Sequence, residues 1–236
     1  MKVTAIYGNL RKGCTWHATD MFLKQLQTHG PVEVTEFFLP KDMPHFCTGC
    51  FSCFFKGEDT CPHADSLQPI AKALLEADLI ILSSPVYGLD VTGQMKALLD
   101  HLCYQWISHR PNPRMFHKMG LVVTTTAGAG LNHTAKTMHN SLKFWGVRRI
   151  FKFQKAVAAT KWAEIPDKKR AHMEKKAAKL ANRVAATMQN MDHLPMPLFQ
   201  KIMFLLMRGM MRKNAWNPYD KIHWEAQGWL TGSMPR

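Results

Sequence analysis

The sequence predicts an α/β fold: a five-stranded parallel sheet with helices on both faces, extended at the C-terminus by further helix. Three observations predict it. Short β-branched runs recur at Val3–Tyr7, Val32–Phe38, Leu79–Ser83, Leu121–Thr125 and Arg149–Phe153. Segments of helical periodicity separate them, the alternation that βαβ units require. The third run, Leu79-Ile80-Ile81-Leu82, is apolar throughout, as a central strand buried on both faces should be. We assign residues 1–192 to this domain and residues 193–236 to the extension.

The opening M-K-V-T-A-I-Y-G reads straight into a strand, with no apolar signal segment or small-residue cleavage site. Six cysteines without such a signal point to the cytoplasm, where thiols are free, metal-bound or redox-active rather than bridged. The turn Gly8–Thr15, G-N-L-R-K-G-C-T, enters a helix at about Thr15–Thr28. A glycine-bounded turn at a helix N-terminus presents backbone N–H groups and a positive dipole end to a phosphate. Asn9 and Thr15 add side-chain donors, and Arg11 or Lys12 adds charge. The turn is neither a Walker loop nor a G-x-G-x-x-G dinucleotide turn.

After the second strand, Cys47, Cys50, Cys53 and Cys61 fall in a C-x2-C-x2-C-x7-C pattern. Two-residue gaps let thiolates converge on one metal centre. Three readings stay open: an iron–sulfur cluster, free or redox-switching thiols, and zinc, for which two separated knuckles are the commoner arrangement. Phe51, Phe54 and Phe55 would shield such a centre or form a subunit contact, and His45 and His63 read as solvent-facing. A helix follows at about Ser66–Ala77, with Asp65 and Ser66 as its N-cap. The third strand ends in Ser83-Ser84-Pro85-Val86-Tyr87-Gly88, and T-G-Q-M-K-A-L-L-D opens a helix expected over Thr92–Ser108. Cys103 within it reads as a small buried hydrophobe. The fourth strand runs into Thr124–Gly130, whose small residues allow close backbone approach to a flat ring. Helices at Asn132–Phe144 and Pro166–Met191 flank the fifth strand.

The turn at Gly8–Thr15, the S-P-V-Y-G segment and the G-Q-M-K-A-L-L-D helix together resemble the NAD(P)H-dependent FMN reductase branch of the flavodoxin-like superfamily. With the four cysteines, the chain is similar to its iron–sulfur flavoprotein members over about residues 1–190. The resemblance implies a flavodoxin-like three-layer sandwich with strand order 2-1-3-4-5. It implies FMN bound by its phosphate at Asn9, Arg11, Cys14 and Thr15, although many relatives carry serines where Asn9 and Cys14 stand. The ring would rest on Pro85, Val86, Tyr87 and Gly88, with Thr125, Thr126, Ala127 and Gly128 forming the third loop. A [4Fe–4S] cluster would be held by Cys47, Cys50, Cys53 and Cys61. The implied activity is transfer of electrons from NAD(P)H, or a ferredoxin-like donor, through FMN to a small acceptor such as a quinone or flavin. No side chain is then required as nucleophile or base, because the flavin carries the chemistry. A homodimer is also implied. The alternative is a flavodoxin-like electron-transfer or redox-sensing protein without NAD(P)H turnover.

Charge is unevenly divided. Residues 143–236 carry 19 Lys and Arg against 6 Asp and Glu, nearly all of the net +14. No nucleic-acid recognition motif accompanies it, and the run Lys168, Lys169, Arg170, Lys175, Lys176, Lys179 reads as a solvated helix face. In the extension, residues 195–213 form a mostly apolar helix with Lys201, Arg208 and Arg212 in one stripe. Its charges and Gly209 argue against a span. The helix is expected to pack on its own fold or a second subunit, or else to contact a membrane surface. The tryptophans at 216, 224 and 229 would cap a pocket or anchor the tail.

Overall fold

A computed structural model of the protein describes all residues except 233 and 236. The strands are β1 (Lys2–Tyr7), β2 (Glu33–Phe38), β3 (Leu79–Ser83), β4 (Met119–Thr126) and β5 (Arg149–Ala156). They form one sheet in the order β2-β1-β3-β4-β5, every pairing parallel. The helices are α1 (Cys14–Gln27), α2 (Ser52–Phe55), α3 (Ala64–Glu76), α4 (Gly93–His101), α5 (Leu131–Phe144), α6 (Asp167–Gln189), α7 (Leu198–Arg212) and α8 (Pro218–Ala226).

Strand side chains alternate between faces. Ile6, Ile80, Leu82 and Val122 point to a core closed by α3, α4 and α5. Val3, Ala5, Leu79, Ile81 and Leu121 point to the opposite core, closed by α1 and α6. Both sets are fully buried, and β3 and β4 are apolar up to the serine and the three threonines at their carboxyl ends, which are buried as well. The chain leaves β1 for β2 on one side and returns to β3 on the other. That reversal opens a crevice at the carboxyl ends of β1 and β3.

Two expectations need correction. The helix expected over Thr92–Ser108 stops at His101: Cys103–Gln105 form a 3-10 turn, and Ile107 N–H donates to the Phe144 carbonyl at 2.7 Å. The apolar residues continue because they fill the space beneath Phe144, on which Trp106 stacks. Asp65 and Ser66 are not the cap of α3. His63 occupies that position, and Asp65 lies in the first turn, where its charge meets the helix dipole.

A third core lies around the extension. Phe204, Met207 and Met211 of α7 pack with Trp224, Trp229, Ile107 and Phe116. Trp224 and Trp229 therefore anchor the tail, while Trp216 stays exposed. Most of the lysines of α6 are exposed, on the solvated face that the charge run suggested.

Candidate functional site

The crevice is assembled by a set of short backbone ties. Gly8 N–H donates to the Ser83 carbonyl at 2.7 Å, and the Thr92 hydroxyl donates to the Gly8 carbonyl at 2.6 Å. A Cβ on Gly8 would lie 2.7 Å from that hydroxyl, so the turn closes only with glycine there. Thr92 is also the N-cap of α4, accepting from Met95 N–H, and its own N–H donates to Ser84 Oγ. One threonine thus joins the first loop, the end of β3 and the start of α4.

Gly13 is the N-cap of α1 and offers no side-chain acceptor; the first turn carries no acidic residue. The N–H groups there are left for a ligand, and the dipole favours an anion. Around this end Asn9, Arg11, Cys14, Thr15, Pro85, Val86, Tyr87, Thr125, Thr126 and Ala127 line one cavity of about 180 Å³. Gly88 and Gly128 stand beside it, off its wall. Gly88 (φ +55°) turns the Tyr87–Asp90 hairpin, and Gly128 N–H donates to the Thr126 hydroxyl. The hydroxyls of Thr15 and Thr125 meet at 2.6 Å, and Asn9 donates to the Tyr87 hydroxyl at 3.3 Å. Burial pushes the Cys14 thiol up, with the Arg11 charge opposing it. The donor set suits a phosphate: an uncapped helix N-terminus, an amide, a hydroxyl and a guanidinium.

Sequence reasoning missed part of this wall. Val157, Ala159 and Thr160, just after β5, close the cavity, and Arg11 donates to the Thr160 carbonyl. Their one signal is position, since the loops after β1, β3 and β4 had already been assigned to the site. Gly130 (φ +93°) keeps two of those loops together: a Cβ there would lie 2.6 Å from Val86 Cγ1.

Cys47, Cys50, Cys53 and Cys61 line a separate cavity of about 270 Å³. The loop curls through positive φ at Gly49, Phe51 and Gly57. Cys47 and Cys50 are exposed, and Cys53 and Cys61 half-buried. Burial, with Cys61 and Cys47 close by, pushes the Cys53 thiol up to about 11. Among the described residues, no three His, Cys, Asp or Glu side chains are placed to hold one metal ion. Phe54 is buried, while Phe51 and Phe55 are exposed.

Cys103 lines this cavity too, which corrects its reading as a helical core residue. Its thiol is pushed up to about 12 by burial, then by Cys53 and Cys47. His101 shares the wall: its Nδ1 donates to the Ala97 carbonyl at 2.8 Å, leaving a buried Nε2 with no protein partner. His45 is exposed as expected, and His63 is half-buried, stacking on His45 at 4.3 Å and sitting edge-on to His101. Arg110 ties the loop down, donating to the Cys53 and Phe54 carbonyls and to Asp220 of α8. Helix α4, nine residues or about 13 Å long, ends with Asp100 and His101 on this cavity and is tied at its other end, through Thr92, to the Gly8 turn of the first.

Comparison with known proteins agrees with this geometry. The family model described as NADPH-dependent FMN reductase matches residues 1–163. An iron-sulfur flavoprotein of Archaeoglobus fulgidus is 34% identical over 149 residues, 62% of this chain and 64% of the relative, so the chain spans just under two thirds of its length. One from Methanocaldococcus jannaschii is 32% identical over 143 residues, 59% of this chain and 70% of the relative. An azoreductase structure from Bacillus anthracis aligns over 78% of this chain and 99% of its own, with a TM-score of 0.60. An FMN-dependent NADH-azoreductase in complex with FMN, also from Bacillus anthracis, aligns over 78% of this chain and all of its own, with a TM-score of 0.59. At 16% and 12% identity these two structures speak for the fold alone.

Proposed function

The chain belongs to the NADPH-dependent FMN reductase family, and on that premise we propose that it is an FMN-dependent NAD(P)H oxidoreductase. Electrons would pass from a reduced nicotinamide, through FMN, to a small acceptor such as a quinone or a flavin. The observation that carries this reading is the uncapped N-terminus of α1 meeting Arg11, Asn9 and Thr15 in one cavity at the topological switch point. FMN, when bound, supplies the acceptance of hydride and its delivery to the acceptor.

The residues of this chain hold and shield. Asn9, Arg11, Cys14 and Thr15 take the phosphate end, where Arg11 supplies the cation. Pro85, Val86, Tyr87 and Gly88 support one side of the ring. Thr125, Thr126, Ala127 and Gly128 bring backbone close to it, and Gly130 fixes their approach to Val86. No side-chain nucleophile or general base is assigned. The same reading divides the chain into an FMN domain over residues 1–192 and an extension over residues 193–236, and it includes a homodimer.

The cysteine cavity adds a second redox centre to the proposal. Four thiols in one concavity fit a soft, thiolate-ligated centre such as a [4Fe–4S] cluster, and the names of the relatives carry an iron-sulfur group. Cys47, Cys50, Cys53 and Cys61 would be its ligands, with the exposed pair closing onto the half-buried pair. A ferredoxin-like donor would then serve as well as a nicotinamide. The five thiols around this cavity also favour a second reading, a flavodoxin-like electron-transfer or redox-sensing protein without NAD(P)H turnover.

Anaerobic purification, an absorption spectrum and iron analysis test both parts. Flavin bands with NAD(P)H oxidation in the presence of FMN and an acceptor are expected. About four iron per chain with a broad shoulder near ~400 nm is expected for the cluster. Colourless protein that takes up no FMN sinks the whole reading. Flavin uptake without nicotinamide oxidation favours the second reading, and flavin bands without iron remove the cluster alone.

A further inference from the structure

Helix α7 is apolar on both of its long faces, and only one of them is covered. Phe204, Met207 and Met211 are buried against the third core. At 100° per residue, Leu198, Ile202, Leu205, Leu206 and Met210 fall on the opposite arc, and all five are exposed, Leu206 to 60%. Trp216 continues this surface beyond the C-terminal end of the helix at 63% exposure.

The charge around this face is mostly positive: Asp220, at its edge, is spent on Arg110 and His109, and Asp192 lies near Arg148. Lys201, Arg208 and Arg212 run along one edge and Lys213 follows, while α7 carries no carboxylate. Arg208 leaves its Nε and one Nη buried without a hydrogen-bond partner. At the N-terminal end of α7 lies a cavity of about 220 Å³ walled by His139, Lys143, Arg148 and Arg149, again without a carboxylate. Arg148 there is buried to 5% exposure and its Nε has no partner. Lys143 sits on the Phe199 ring at 3.3 Å from its centroid. Apolar side chains flanked by cations, with buried guanidinium nitrogens unpaired, ask for an apolar surface that carries anions.

We propose that this face docks on an anionic phospholipid surface. Leu198, Ile202, Leu205, Leu206 and Met210 enter the headgroup boundary, and the basic cavity takes a lipid phosphate. The helix lies on the membrane: among the described residues no helix is long and apolar enough to cross one. A second copy of the chain fits less well, because an isologous contact would set these cations against a patch whose carboxylate, Asp220, is already paired with Arg110 and His109. The inference is independent of the proposed redox chemistry.

Flotation of the full chain with vesicles tests it, using phosphatidylcholine alone and phosphatidylcholine with phosphatidylglycerol. Retention on the anionic vesicles only is expected, weakening as salt rises. The double variant Ile202→Glu/Leu206→Glu, and separately Lys143→Glu, should each weaken retention at least about ten-fold while the circular dichroism stays unchanged. Millimolar inorganic phosphate should not reproduce the loss; if it does, the cavity takes free phosphate and the lipid assignment falls. Equal retention on both vesicle types, retention on neither, or indifference to the double variant also overturns it. So does a dimer that the double variant splits in sedimentation, since a second copy would then be the occupant.

Discussion

Replacing Asp220 by Ala should be the most destabilising single change available in the extension. Asp220 Oδ1 accepts from Arg110 Nη1 at 2.7 Å and Oδ2 faces His109 Nδ1 at 2.8 Å, with the carboxylate 1% and the guanidinium 6% exposed. At that separation the attraction is about 6 kcal/mol for an effective permittivity of ~20, before the cost of desolvating both groups. Removing Asp220 leaves Arg110 charged and buried with only the Cys53 and Phe54 carbonyls and the half-exposed Glu58 at 3.4 Å. Breaking such a buried pair costs about 3–5 kcal/mol, and Glu58 holds the loss toward the lower figure. The loss should be read as a shift of the urea midpoint at constant slope, with the melting temperature falling by roughly 6–20 °C for a chain of this size. Asp220→Asn keeps an acceptor oxygen and should fall between wild type and the Ala variant. Arg110→Met/Asp220→Ala should lose less than the two single changes combined, because neither charge is then stranded. A loss below about 1 kcal/mol, or strict additivity, would refute the claim that this pair is a coupled buried unit.

Three further outcomes are expected. Arg11→Ala should weaken FMN binding about ten- to hundred-fold, the worth of a charged hydrogen bond, with partial recovery in Arg11→Lys; quenching of flavin fluorescence measures it. Gly130→Ala should cost about 2 kcal/mol and loosen FMN, since the new Cβ meets Val86 in a left-handed backbone; a thermal melt and the same titration check both. Lys118, buried and donating to the Leu75 and Ala77 carbonyls, has its ammonium lowered from 10.5 to about 8 by burial. Between those values the unfolded chain binds more protons, so stability should rise with pH across about pH 8 to 10.5 and be lost again as pH falls through about 8. Urea midpoints of wild type minus Lys118→Met isolate that rise, and a flat difference would contradict it.

What could be read in advance followed burial. The apolar β3 and the alternating faces of β1 and β4 fix strand identity, because a parallel sheet sandwiched between helices leaves no other use for such runs. The glycine turn and the S-P-V-Y-G corner could be read as neighbours, and the structure brings both to one cavity, because glycine and proline constrain backbone more than side chain. The end of α4 was not legible, since Leu102, Trp106 and Ile107 satisfy helical periodicity while serving a 3-10 turn under Phe144. Cys103 and His101 were missed for the same reason: an apolar helix offers no sequence mark for a residue turned toward a neighbouring loop. Val157, Ala159 and Thr160 are small and unremarkable, and only the topology brings them to Arg11. In the extension, an apolar helix with only a narrow cationic stripe signals two surfaces to cover, but not that the chain itself covers just one of them.

Helix α4 begins at the Thr92 knot beside the nucleotide cavity and ends with His101 on the thiol cavity. Through Thr92 the helix holds the Gly8 turn, so a shift of α4 on filling the thiol cavity would reach the loop of the first cavity, and the two occupancies would then be linked. Whatever factor iron loading applies to the affinity for mononucleotide, mononucleotide must apply to the retention of iron. If both proposed groups bind, a preparation stripped of one would be no neutral starting point for measuring the other, and the two should be restored in both orders before either constant is believed.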